Sequence, residues 1–204
     1  MRARRFNPDG NERLTAVAGL ILLAGIVFEL ATLLLGLQHT LSLHVFVGYV
    51  LLPPIALKLA STGWRFMRYY TRNEDYRVKG APQIVMRVLA PLLVAFTVLL
   101  FGSGVAMGLL HGHALQLARR IHGPAAFCFT LLIGLHVLVY VRRALHSTVA
   151  EVTPVTRRAA AGAGARATLV GAAIAGGLVV GAATLPTQHV SLHLPPKHDH
   201  RGDR

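Results

Sequence analysis

The chain has 204 residues, 53% of them hydrophobic and only 14% charged, against about 25% charged in a typical soluble domain. That balance excludes an ordinary water-soluble domain and points to an all-α integral membrane protein. The net charge of +13 would suggest nucleic acid on a polar fold. Here the basic residues flank apolar runs and build no basic stripe, so no nucleic-acid partner is expected.

Residues 1–13 form a short basic arm. The first apolar run, Leu14–Leu37, is long enough to cross about 30 Å of hydrocarbon. No small-residue cleavage site follows it, so it reads as an anchor helix and not as a signal peptide. Its one ionisable residue past the first turn is Glu29, a candidate for proton transfer or for a hydrogen bond within the bundle. Only Gln38–Thr40 separates it from the second run, Leu41–Ala60, so the two are expected to form an antiparallel hairpin.

The second run carries His44, Lys58 and the pair Pro53-Pro54. Ser61–Arg87 then mixes Trp64, Phe66, Tyr69, Tyr70 and Tyr76 with arginines, a composition suited to the headgroup layer. The third run, Val88–Leu110, contains Pro91. His111–Arg120 is read as a loop to the fourth run, Ile121–Val141, which carries His122, Cys128 and His136. These four runs make a four-helix transmembrane bundle over residues 14–143. Residues 144–166, rich in Ala, Gly and Arg, read as a linker. A fifth transmembrane helix is expected over 167–186, where Gly177-x-x-x-Gly181 suits helix packing. Residues 187–204 read as a polar tail, whose His189, His193, His198 and His200 form at most a weak metal site.

With the N-terminus in the cytoplasm, sixteen of the twenty-one basic residues fall on the inner side, the positive-inside pattern. The expected location is the plasma membrane, with an extracytoplasmic C-terminus where the fifth span crosses. Cys128 is the only cysteine. An internal disulfide, a thiolate zinc cluster and covalent c-type haem attachment are therefore excluded.

Intramembrane histidines are costly and mark functional sites. His122 and His136 are fourteen residues apart, which on a helix is about 40° short of four turns and about 21 Å along the axis. One face of the fourth helix thus presents two imidazoles at two depths. The second and fourth helices run in the same direction, and His44 and His122 both sit near the outer end. Two imidazoles at one level on two helices are what a low-spin haem iron requires, with small residues nearby so that the macrocycle can approach. Gly48, Gly123 and Gly134 supply such residues. Arg119 and Arg120 on the outer side, and Arg142 and Arg143 on the inner side, are candidates to pair with haem propionates. A histidine near a helix end also serves as a plain interfacial residue, and that reading stays open for His44 and His122 taken singly. His111 and His113 read as loop histidines or as part of a metal or quinol site.

This pattern resembles the bacterial dihaem cytochrome b membrane subunits, such as those of nickel–iron hydrogenases and formate dehydrogenases. The resemblance covers roughly Arg13–His146. It implies that His44 and His122 hold an outer haem b and His136 an inner one. It also implies that the protein passes electrons between a quinone or quinol and a partner oxidoreductase subunit. In that family the first helix usually gives a histidine to the inner haem, and here it has none. Lys58 follows His44 by fourteen residues, as His136 follows His122, and a neutral lysine amine has a lone pair for iron. A snorkelling lysine is the competing reading. Under either reading of Lys58 the resemblance implies an electron-transfer subunit, and the sequence shows no nucleophile triad, P-loop or paired carboxylates that would carry chemistry of its own. Rival functions are a metal-ion or proton transporter using the histidines as relays, and a plain membrane scaffold.

Overall fold

The computed structural model describes residues 8–71, 84–152 and 162–191. They form five helices and, among the described residues, no strand: α1 (Pro8–Leu34), α2 (Leu37–Tyr70), α3 (Ile84–Leu109), α4 (Gly112–Val152) and α5 (Ala163–Ser191). All five are long and apolar enough to cross a membrane, as their unbroken hydrophobic runs require. Large side chains such as Phe28, Phe127, Leu138 and Val179 are left exposed on the outside of the bundle. In water this surface would be costly; against lipid tails it is the expected face of a multi-pass membrane protein.

The helices extend beyond the apolar runs. The α1–α2 turn lies at Leu35–Gly36, and Gln38–Thr40 are already helical. The polar triplet is tolerated in a helix because Thr40 Oγ1 lies 2.7 Å from Thr32 O and 3.1 Å from Gly36 O, so its hydroxyl is satisfied locally. Gly36 adopts φ 95°, a conformation open to glycine at little cost. The expected loop His111–Arg120 is likewise mostly helix, since α4 begins at Gly112 (φ 60°). At its other end α4 runs on to Val152, into the expected linker, of which residues 153–161 lie outside the described set. The aromatic-basic segment after the second run is helical to Tyr70. There Phe66 and Tyr70 stack at 4.4 Å and the Arg68 guanidinium lies 5.4 Å from the Trp64 ring.

The turn at Gly36 sets the register of the hairpin. Residues equally distant from it come level, and the polar pairs along α1–α2 follow that rule. Thr32 meets Thr40, Glu29 meets His44, Thr15 meets Lys58 and Asn11 meets Ser61. Between the polar ends lies an apolar middle of Leu22, Leu51 and Ile55, packed by Ile26, Val47, Leu59 and Phe101. Pro53 and Pro54 sit inside α2 without ending it.

Helix α1 packs on both α2 and α4, and α4 packs closely on α3, which touches α2 lightly. That order places α2 and α4 diagonally across the bundle. The fifth helix lies along α2. A Cβ at Gly177 would overlap the Val50 carbonyl oxygen, and one at Gly181 would lie 2.8 Å from Val50 Cγ2 and 2.9 Å from Phe46 Cε2. The small-xxx-small pair thus lets two backbones approach, as its spacing predicted.

Candidate functional site

The His44 end of the bundle holds two imidazoles, each fixed by its neighbour in the hairpin. His44, on α2, places Nδ1 2.6 Å from Glu29 Oε2 of α1 and 3.2 Å from Thr32 Oγ1. Thr32 is almost fully buried and donates its hydroxyl hydrogen to Glu29 O at 2.7 Å. The Nδ1–H of His44 therefore donates mainly to the carboxylate. His122, on α4, places Nδ1 3.1 Å from Leu100 O and 3.1 Å from Ser103 Oγ, both on α3. A backbone carbonyl only accepts, so this contact puts the hydrogen on Nδ1. In both rings the Nδ1–H is spent on the protein. No described residue bonds to either Nε2.

That arrangement is the one metal-binding histidines adopt. A carboxylate or backbone carbonyl holds the far nitrogen, fixing the tautomer and the ring orientation. His44 and His122 are within electrostatic reach of each other, although α2 and α4 do not pack closely. An iron already held in a macrocycle would need only two such donors from the protein. Among the described residues no three His, Cys, Asp or Glu side chains converge to hold a bare ion. Two imidazoles with Nε2 unbonded to the protein are donors that a haem iron could use.

The three glycines expected to give a macrocycle room sit in different surroundings. A Cβ at Gly48 would lie 3.5 Å from Glu29 Oε1, so Gly48 faces the carboxylate. Gly123 and Gly134 have no atom within 4 Å of such a Cβ, which leaves the α4 surface bare beside His122 and His136. The glycine that seats the His122 ring is Gly104 of α3, whose Cβ would stand 3.3 Å from His122 Cε1. Arg119 and Arg120 are exposed on α4, one turn before His122. Cys128 is half-buried and unbridged.

At the other end His136 stacks on Tyr140, with ring centroids 5.0 Å apart, and its Nδ1 is buried without a hydrogen-bond partner. Lys58 is within electrostatic reach of it. The lysine amine, however, donates to Thr15 O at 2.6 Å. It sits beside a hydroxyl pair in which Thr15 Oγ1 lies 3.0 Å from Ser61 Oγ. A neutral amine could keep that bond through one N–H and still offer its lone pair, so the contact fixes where the amine sits without deciding ligation. The side chains of Arg142 and Arg143, and those of His189, His193, His198 and His200, lie outside the described set.

No protein-family model matches the chain, and neither does any curated protein or solved structure.

The partners of the histidines were only partly legible in the sequence. Ser103 stands in Gly102-Ser103-Gly104, a small polar interruption of an apolar run, and that break was the available signal. Thr32 follows Glu29 by three residues and so shares its helix face.

Proposed function

We propose that the chain is a membrane-embedded b-type cytochrome subunit that passes electrons between the quinone pool and a partner oxidoreductase. The observation that carries this reading is the pair of imidazoles, His44 and His122. Both commit Nδ1–H to acceptors on the protein and present a free Nε2 from diagonal helices. A haem held there supplies a one-electron couple within the membrane. The chain's own residues have simpler tasks. His44 and His122 bind, Glu29, Thr32, Leu100 and Ser103 orient, and Leu22, Leu51, Ile55 and Phe101 keep water from the middle of the bundle. Arg119 and Arg120, exposed on α4 shortly before His122, would be the residues to meet propionates. The quinone and the partner subunit rest on the family resemblance. The cytoplasmic N-terminus and the plasma membrane rest on the distribution of basic residues.

The reading assigns one haem, at the His44 end. His136 lacks the arrangement found at His44 and His122, since its buried Nδ1 has no hydrogen-bond partner; a second haem there, with Lys58 as candidate partner, rests on the family resemblance. The test is a reduced-minus-oxidised spectrum of the purified protein, made with haem precursor supplied. A haem b difference spectrum is expected. Colourless protein would favour the proton-transport reading, for which Glu29 against His44 is the supporting contact.

A further inference from the structure

We propose that Glu29 is a positioning residue that lowers the reduction potential of the iron held by His44. The assignment rests on the cytochrome reading above and concerns a residue that does not itself touch the haem.

The two ligand histidines are held by chemically different acceptors. His122 donates to the neutral Leu100 carbonyl at 3.1 Å, with the Ser103 hydroxyl at the same distance. His44 faces a carboxylate at 2.6 Å. Charge-assisted hydrogen bonds are shorter and about twice as strong as neutral ones, and the difference in length follows that rule. The Glu29 side chain is only 14% exposed, so little water screens it, and a charge in such surroundings acts more strongly on its neighbour. Thr32 Oγ1 lies 3.4 Å from Oε2 and bonds Glu29 O, while Gly48 leaves the other oxygen room. Among the described residues the only ion-pair partner assigned to Glu29 is His44. The carboxylate is thus dedicated to one imidazole.

A carboxylate on Nδ1–H pushes electron density toward Nε2 and makes the ring a more basic ligand. A more basic ligand stabilises ferric iron more than ferrous iron, because the ferric ion carries the greater charge. The potential of the couple therefore falls. His122 has no such acceptor, so the two histidines would differ in strength as ligands, and Glu29 is the residue that makes them differ.

The test compares wild type with Glu29→Gln and Glu29→Asp by haem quantification, redox titration and electron paramagnetic resonance of the oxidised protein. Glutamine keeps the size and an acceptor but removes the charge. It should keep a low-spin haem, raise the midpoint potential and change the resonance anisotropy. Aspartate restores the charge and should return the potential toward the wild-type value. Ser103→Ala should shift it less than Glu29→Gln does. Loss of haem from the glutamine variant with retention in the aspartate variant would also support the assignment, as a demand for charge. A low-spin haem of unchanged potential in Glu29→Gln would overturn the assignment and leave the cytochrome reading standing. Loss of haem from both variants would overturn it too, reducing Glu29 to a packing role. Wild-type protein without haem would remove the cytochrome reading itself and this assignment with it.

Discussion

Lys58 Nζ donates a 2.6 Å hydrogen bond to Thr15 O, tying α2 to α1 one helix turn before Gly19. A Cβ at Gly19 would stand 2.7 Å from that amine, so the glycine is what lets the lysine lie flat on α1. The contact closes the same hairpin that Glu29 and His44 close at its other end.

The first prediction follows from that clamp. Lys58→Met should lower the melting temperature, with a loss of about 1–2 kcal/mol for the missing hydrogen bond, and leave the haem spectrum unchanged. Lys58→Arg should not restore full stability, because a guanidinium is too bulky for the space above Gly19. The measurement is a thermal melt in detergent beside haem quantification. Two haems in wild type, one of them lost in Lys58→Met, would instead make Lys58 the ligand opposite His136.

Gly104 supports a second prediction. Its Cβ would stand 3.3 Å from His122 Cε1, so Gly104→Val should push the ring away from Leu100 O and reduce low-spin haem. Gly102→Ala is the control, since nothing lies within 4 Å of its Cβ. There the better helix propensity of alanine should leave stability equal or slightly higher. Equal haem spectra in Gly104→Val and wild type would mean that the α3 contact does not orient His122.

The α2–α5 contact gives a third. At Gly177 the obstacle to a Cβ is the Val50 backbone carbonyl, which cannot swing aside as a side chain can. Gly177→Ala should therefore destabilise the α5 docking by about 1–3 kcal/mol, whereas Gly171→Ala, in open space, should not. Haem content should stay constant in both, because α5 lies outside the four-helix ring. A thermal melt in detergent, run beside haem quantification on both variants, is the measurement.

The five helices were legible because each is an apolar run of spanning length. Their ends were not, because Thr40, His113 and the Arg142-Arg143 pair are polar yet continue a helix. That His44 and His122 each lie early in their helices was readable from where the apolar runs begin. The Glu29–His44 pair did not, and the reason is specific. A turn centred on residues 38–40 puts Glu29 and His44 out of level. The true turn at Gly36 puts Glu29 seven residues before it and His44 eight after. A shift of about three residues in one turn thus hid the acidic partner of a candidate ligand. The contacts of His122 with Leu100 O and Ser103 depend on how α3 and α4 pack, which no local pattern encodes.

The central claim is that His44 and His122 hold one haem between them, and the ratio of haem to protein in their alanine variants tests it most directly. Wild type should carry a low-spin haem b. His44→Ala and His122→Ala should each lose that haem or convert it to high spin, and the double variant should be little worse than either single one. Residues acting as one unit give such non-additive losses. Two spectrally distinct losses, adding in the double variant, would contradict the claim, and so would low-spin haem retained in both single variants.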